Sequence, residues 1–131
     1  MPVTTSFNKD QGFIYHLLTG DITQKEIITA FDNSQTYPDL AADTHVIWEF
    51  QNVRLPKLSE TISHVKAIAN YVKNSQSLKR TGFKVALVAD NDLVFGMSRM
   101  YQSVATFLPV QFMVFRKYEA AENWVQGQDQ E

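Results

Sequence analysis

The sequence predicts a single α/β domain in which one mixed five-stranded sheet packs against helices. The first observation is Val85–Ala89, a continuous apolar run followed by Asp90-Asn91-Asp92 and a helical pattern. Such a strand is typical of a parallel sheet that is covered on its faces. The second is the alternation of strand and helix patterns, in the order β-β-α-β-α-β-α-β-α. The third is the length of 131 residues with 44% hydrophobic content, enough for one domain spanning residues 1–131.

The chain opens with two strand candidates and a helix. Val3–Asn8 alternates only in part, whereas Phe13–Leu18 is aromatic and β-branched, so together they predict a β-hairpin. Thr23 and Glu26 have the spacing of a capping box, in which each side chain bonds the other residue's backbone N–H. This spacing predicts a first helix from Thr23 to Asn33.

The middle of the chain continues this alternation. His45–Phe50 predicts a third strand, and Gln51–Leu58 predicts an irregular connection. Ser59 is expected to be the N-cap of a second helix that fades through the polar Lys73–Lys79. The apolar residues expected to form the buried stripe of this helix are Ile62, Val65, Ile68, Ala69 and Val72.

The last part predicts two more strands and two helices. The strands are Phe83–Ala89 and Val110–Phe115, and the helices are Asp92–Phe107 and Tyr118–Val125, with Pro109 ending the longer helix. Crossover connections between parallel strands are right-handed. We therefore expect the last four strands to run parallel and the first strand to be an antiparallel edge.

Composition excludes several classes of function. The net charge of -2 and the pI of about 5.9 speak against nucleic-acid binding. The absence of cysteine excludes disulfides, thiol catalysis and thiolate metal sites. The polar N-terminus lacks a signal-peptide pattern, and no apolar run approaches the roughly 20 residues that span a bilayer. We expect a cytoplasmic protein, either free or peripheral at a membrane.

No residue pattern indicates catalysis, a cofactor or a metal. His16, His45 and His64 fall on different elements, and no metal-binding spacing joins them. Asp90-Asn91-Asp92 would lie where ligands bind in open α/β sheets and could hold a hard cation. A helix cap explains the same residues and is the favoured interpretation. There is no GxSxG motif, no phosphate-cradling glycine loop and no visible nucleophile–base pair, so the sequence predicts a non-enzymatic protein without a cofactor.

Four segments together resemble the SpoIIAA-like family: YHLLTGDIT, VIWEF, GFKVALVADNDLVFGMSRMY and VQFMVFRKYEAAENWV. This family is related to STAS domains and is compared with Sec14 (CRAL-TRIO) lipid-binding domains. The resemblance covers Phe13–Val125 and implies a small mixed sheet with helices and no enzymatic activity. It also implies either a phosphorylation-controlled partner switch or the binding of an apolar ligand or membrane. The Asp-Ser-Ser-Gly-like turn of the switch proteins is replaced by WEFQNVRLPKLSE, so the phosphorylated role is not transferred to Ser59.

The third predicted helix carries the candidate site. Its expected core stripe comprises Leu93, Met97, Met100, Tyr101, Val104, Phe107 and Leu108. Phe95 falls outside this stripe, one turn before Arg99. We therefore expect an aromatic side chain on the outer face, at a helix end that could cover an apolar pocket. A well-packed core with one exposed Phe is the alternative.

We predict that this site binds an amphipathic small molecule or a lipid, with a membrane surface as a further partner. The expected apolar contacts are Trp48, Phe50, Leu55, Phe95, Met97, Met100 and Phe115. Arg54 and Arg99 are the expected head-group contacts. The alternative is a STAS-like protein-interaction or signalling module, including a homodimer, which uses the same residues as an interface. A closed pocket would favour the first hypothesis, and a flat apolar patch the second.

Overall fold

The computed structural model describes residues 3–37, 41, 43–74, 82–106, 108 and 110–127. These form one five-stranded sheet and four helices, in the predicted order. The strands are β1 (Val3–Asn8), β2 (Phe13–Asp21), β3 (His45–Arg54), β4 (Lys84–Ala89) and β5 (Gln111–Phe115). The helices are α1 (Gln24–Ser34), α2 (Leu58–Asn74), α3 (Asp92–Val104) and α4 (Tyr118–Val125).

The sheet has the simple strand order β1-β2-β3-β4-β5. β1 pairs antiparallel with β2 at the edge, and the remaining pairs are parallel, which confirms the predicted topology. Each parallel crossover leads to the next strand in the same direction. Right-handed connections therefore place α1, α2 and α3 on one face of the sheet, here called the front face. α4 packs on the opposite, back face, against β3, β4 and β5.

The two faces have separate cores, because neighbouring strand residues point to opposite sides. On the back face, Phe13, Ile47 and Val88 pack against Ala121 and Val125 of α4. The front-face clusters include these β3, β4 and β5 residues: Val46, Trp48, Phe50, Val85, Leu87 and Phe112. β4 is apolar from Val85 to Ala89 because both of its faces are covered, as the sequence predicts.

β2 and β3 are longer than predicted. Both continue past a register shift at Thr19/Gly20, so that Gly20 pairs with Val53 and Asp21 with Arg54. Gly20 has a φ of 70° and Asn52 a φ of 55°, a region that these residue types tolerate better than most. The prediction of an irregular connection directly after Phe50 was therefore wrong. β2 and β3 stay paired beyond Phe50 because the register shift accommodates Asn52 as an extra residue between Gln51 and Val53.

Two helix starts are capped as the sequence indicates. Thr23 Oγ1 accepts a hydrogen bond from the Glu26 backbone N at 3.1 Å, and Glu26 Oε1 accepts one from the Thr23 backbone N at 2.8 Å. At α3, Asn91 Oδ1 accepts from the backbone N of Leu93 at 2.8 Å and of Val94 at 3.2 Å. The acidic turn after β4 thus caps a helix, which was the favoured interpretation.

Other boundaries differ by a few residues. α2 begins at Leu58, so Ser59 lies within the first turn and is not the N-cap. α3 ends at Val104, whereas the predicted end, Phe107, lies outside the described residues. β5 begins at Gln111, one residue later than predicted.

Candidate functional site

An apolar cavity of about 170 Å³ lies between the front face of the sheet and the three crossover helices. Ile27 of α1, Val65 of α2 and Met97 of α3 line it from above. Trp48 of β3 and Leu87 of β4 line it from below. Residues of the sheet and of all three front-face helices therefore line this cavity.

The position of α2 accounts for the cavity. α3 contacts β4 and β5 directly, whereas α2 packs mainly on α1 and α3 within the described part of the chain. At the C-terminal end of α2, Val72 clusters with Ala105 and Leu108. α2 is thus held mainly by its two neighbouring helices, and the cavity lies beneath it.

A cavity of this size carries a cost if it stays empty. At about 24 cal/mol per Å³, a fully closed and empty cavity of this volume lowers stability by roughly 4 kcal/mol, which is an upper bound here because the lining includes the exposed Pro56. The net stability of a folded domain is only about 5–15 kcal/mol. Apolar cavities of about 150 Å³ stay dry and bind benzene. The volume therefore suits a single ring or a short hydrocarbon chain.

The described residues that line the cavity include no Lys, Arg, Asp or Glu. The polar side chains among them are His16, Gln24, Ser34, Gln35, Thr61, His64, Ser98 and Tyr101. Burial raises the pKa of the Tyr101 hydroxyl, so this group stays protonated and neutral. A charged ligand would lose its hydration without meeting an opposite charge, which is strongly unfavourable. The cavity therefore suits an uncharged molecule.

His16 is a fully buried polar residue of the cavity lining. It is 0% exposed, and its ring stacks on Trp48 with the centroids 3.9 Å apart. Nδ1 lies 2.7 Å from Thr5 Oγ1 on the edge strand. Nε2 is buried and has no hydrogen-bond partner among the described residues. Burial lowers the pKa of His16 to about 4, so the imidazole is neutral at pH 7.

Sequence reasoning treated His16 as an ordinary strand residue. Its one usable signal was its position between Ile14 and Leu18 in the alternating pattern of β2, which places all three on the same face. A histidine in an otherwise aliphatic inward-facing row has few partners for two ring nitrogens. That argument could have singled out His16 before the structure was known.

Four of the predicted apolar contacts line the cavity: Trp48, Phe50, Leu55 and Met97. Trp48 and Phe50 are on the front face of β3, and Leu55 follows the end of that strand. Met97 reaches the same space from α3. The structure thus brings the predicted apolar contacts of β3 and the residue after it together with Met97, one of the two predicted methionines.

Phe95 was expected on the outer face of α3, and that placement was wrong. It is half-buried and packs against the cluster that contains Leu18 and Val94. The Arg116 guanidinium lies over its ring, 3.9 Å from the centroid. Val94 is 4% exposed whereas Leu93, predicted in the core stripe, is 53% exposed. The start of α3 is therefore rotated about its axis from the predicted orientation.

The predicted head-group residues do not line the cavity. The Arg54 Nε donates to Asp21 Oδ1 at 2.9 Å, and this ion pair lowers the pKa of the Asp21 carboxyl. Arg99 is exposed on α3. Arg116 Nη1 donates to Asp92 Oδ1 at 2.7 Å, at the exposed start of the same helix. These cations lie outside the cavity.

Phe115 and Met100 also lie outside the cavity lining. Phe115 is on the back face, where its ring contacts Trp124 at a centroid distance of 5.7 Å. The two-residue period of β5 separates it from Phe112, which faces the front. Phe115 therefore belongs to the core beneath α4. Met100 is half-buried on α3.

The strand order, the antiparallel edge strand and the asymmetric helix layers define an α/β domain with a SpoIIAA-like fold. A crystal structure of an uncharacterized DUF3478-family protein with a SpoIIAA-like fold, from Shewanella loihica PV-4, is similar to this chain with a TM-score of 0.52. The match covers 94% of this chain and 91% of that protein at 15% sequence identity. The predicted resemblance is thus confirmed at the level of the fold.

The sequence comparisons add no further relative. No protein-family model matches the sequence, and no curated protein matches it significantly. Among the residues that the structure describes, no helix has the length and apolarity needed to cross a membrane. Function must therefore be argued from the site itself.

Proposed function

We propose that this protein is a non-enzymatic binding domain that takes up a small, uncharged, mainly apolar molecule. The ligand would occupy the cavity between the sheet and α1, α2 and α3. The observation that carries the proposal is this cavity of about 170 Å³, whose described lining has no charged side chain. A concave, mainly apolar space with a small number of polar groups is the usual form of a small-molecule site.

The proposal restricts the predicted class of ligand, an amphipathic small molecule or a lipid, to small uncharged molecules. An ionised fatty acid needs a cation near its carboxylate, and Arg54 and Arg99 lie outside the cavity. A long acyl chain also contains several times as many carbon atoms as benzene, which a cavity of about 150 Å³ can hold. A ring compound or a short-chain molecule fits both the volume and the charge of the lining.

Benzene is a suitable first probe because it tests the apolar space alone. We expect benzene to bind in the cavity, shifting the amide NMR signals of residues on its lining. Val65→Phe projects a ring into the cavity from α2 and should abolish this uptake. The matched control is Leu17→Phe, which adds a ring at a half-buried position on the back face and should leave binding unchanged.

Three results would contradict the proposal. The first is wild-type protein whose NMR spectrum does not respond to saturating benzene. The second is a folded Val65→Phe variant that binds benzene as tightly as the wild type, because the probe would then lie elsewhere. The third is an equal loss of binding in Val65→Phe and Leu17→Phe.

The protein-interaction and membrane-surface hypotheses stay predictions. The SpoIIAA-like fold is compatible with an interaction module, and the exposed large hydrophobic side chains among the described residues, Tyr71, Leu93 and Met113, lie on three different elements, α2, α3 and β5. Sedimentation at several concentrations checks for a homodimer. Co-sedimentation with anionic vesicles checks for membrane binding.

A further inference from the structure

Among the described residues, one buried side-chain polar atom lacks a hydrogen-bond partner: the Nε2 atom of His16, a residue of the cavity lining. We infer that His16 Nε2 anchors the ligand by a hydrogen bond, and that the ligand carries a hydroxyl group on an otherwise apolar body. The class is that of phenols and small alcohols. This inference rests on the proposed function and adds the chemistry of the ligand to it.

The ring of His16 is held in place on two sides. Thr5 Oγ1 lies 2.7 Å from Nδ1, and Trp48 stacks on the ring plane at an interplanar angle of 26°. The direction of Nε2 is therefore fixed before any ligand enters. A fixed polar group loses little conformational freedom on binding, which favours specific recognition.

Two of the other cavity hydroxyls are already bonded within the protein. Ser34 Oγ donates to the Phe31 carbonyl at 2.8 Å, and Thr61 Oγ1 donates to the carbonyls of Pro56 and Lys57 at 3.2 and 3.1 Å. His16 Nε2 differs because it is both fully buried and unpartnered. A buried polar atom in this state is destabilising until something bonds it.

The protonation state of the His16 imidazole determines which chemical group of a ligand can bond Nε2. A neutral imidazole has one donor and one acceptor nitrogen, and the Thr5 hydroxyl can play either role toward Nδ1. Nε2 is therefore an acceptor or a donor according to the tautomer. A hydroxyl group both donates and accepts, so it can bond Nε2 in either case. A carbonyl group can bond only the tautomer that carries hydrogen on Nε2.

Benzene and phenol form a matched pair of probes, since they differ only by the hydroxyl group. The experiment measures both dissociation constants for the wild type, for His16→Phe and for Leu17→Phe. Leu17 lies outside the cavity lining, on the back face of the same strand, so its replacement controls for a Phe substitution in β2. We expect the ratio of benzene to phenol dissociation constants to fall about tenfold in His16→Phe, the effect of one buried hydrogen bond. The ratio should be unchanged in Leu17→Phe.

A second readout uses the wild-type protein alone. The ¹⁵N chemical shift of His16 Nε2 should move when phenol is added and should stay nearly constant with benzene. A hydrogen bond changes this shift directly, whereas filling the cavity does not. This measurement decides the question if His16→Phe does not fold.

The outcomes separate the two proposals. If benzene and phenol both bind but the ratio is the same in the wild type and His16→Phe, the anchor role is overturned and the cavity proposal stands. An Nε2 shift that is indifferent to phenol overturns it equally. If neither probe binds the wild type, both proposals fail.

Discussion

Lowering the pH from 7 to 5 should destabilise this protein through a single buried side chain, His16. Burial holds its pKa at about 4 in the folded protein, against an ordinary value of 6.5. Between these two values the unfolded chain binds the proton more readily than the folded one. Stability that is fully present above pH 6.5 is therefore lost as the pH falls towards 4. The linkage relation gives a loss of about 2 kcal/mol at pH 5 and roughly 3 kcal/mol in full.

Urea unfolding at a series of pH values, followed by far-UV circular dichroism, measures this loss. Circular dichroism is preferable to fluorescence, because Trp48 stacks on the His16 ring and can respond to its protonation directly. His16→Phe removes the titrating group and keeps an aromatic ring against Trp48. This variant should lose about 2 kcal/mol less than the wild type between pH 7 and pH 5. His64→Phe retains His16 and should keep this part of the acid sensitivity.

Equal losses in the wild type and His16→Phe would refute the reasoning. The acid sensitivity would then come from other groups, and His16 would not be the buried neutral residue on which the ligand anchor depends. Asp21 does not provide the same signal, because its partner Arg54 lowers the pKa of its carboxyl. The contribution of Asp21 is lost only as the pH falls further into the acid range.

Three further predictions follow from the packing. Arg54→Ala and Arg99→Ala should leave the dissociation constant of benzene unchanged by calorimetry, since neither side chain lines the cavity; a marked loss would place the ligand near these cations. Ile47→Ala should lower the free energy of unfolding by about 2–5 kcal/mol in urea, because this fully buried side chain is central to the back-face core. A loss under about 1 kcal/mol would contradict that packing. Asn91→Ala should cost about 1 kcal/mol by removing the cap of α3, and an unchanged urea midpoint would show that the cap is dispensable.

The strand and helix order was predictable because it depends on local patterns and on chain topology. The unbroken apolar run of β4 reflects a strand covered on both faces, and the capping box at Thr23 marks the start of α1. The extension of β2 and β3 was not predictable. Gly20 and Asn52 tolerate positive φ, but their sequence gives no sign that the two strands stay paired beyond them.

The orientation of α3 shows a second limit. Leu93, Val94 and Phe95 are consecutive apolar residues, so the periodicity of the helix does not fix which of them faces the sheet. Contacts distant in sequence decide it. Arg116, from the segment after β5, stacks on Phe95 and pairs with Asp92, and Val94 is the residue that enters the core.

The cavity was not predictable from the sequence, because it depends on where α2 lies relative to the sheet. Residue types do not determine that position. Val72 of α2 packs with Ala105 and Leu108, next to Phe31 of α1. For α2 to collapse onto the sheet, it would have to give up these contacts at its C-terminal end. A ligand that fills the cavity adds stability of RT ln(1 + [L]/Kd). A rise in unfolding temperature with benzene concentration, absent in Val65→Phe, would link the position of α2 to binding in one measurement.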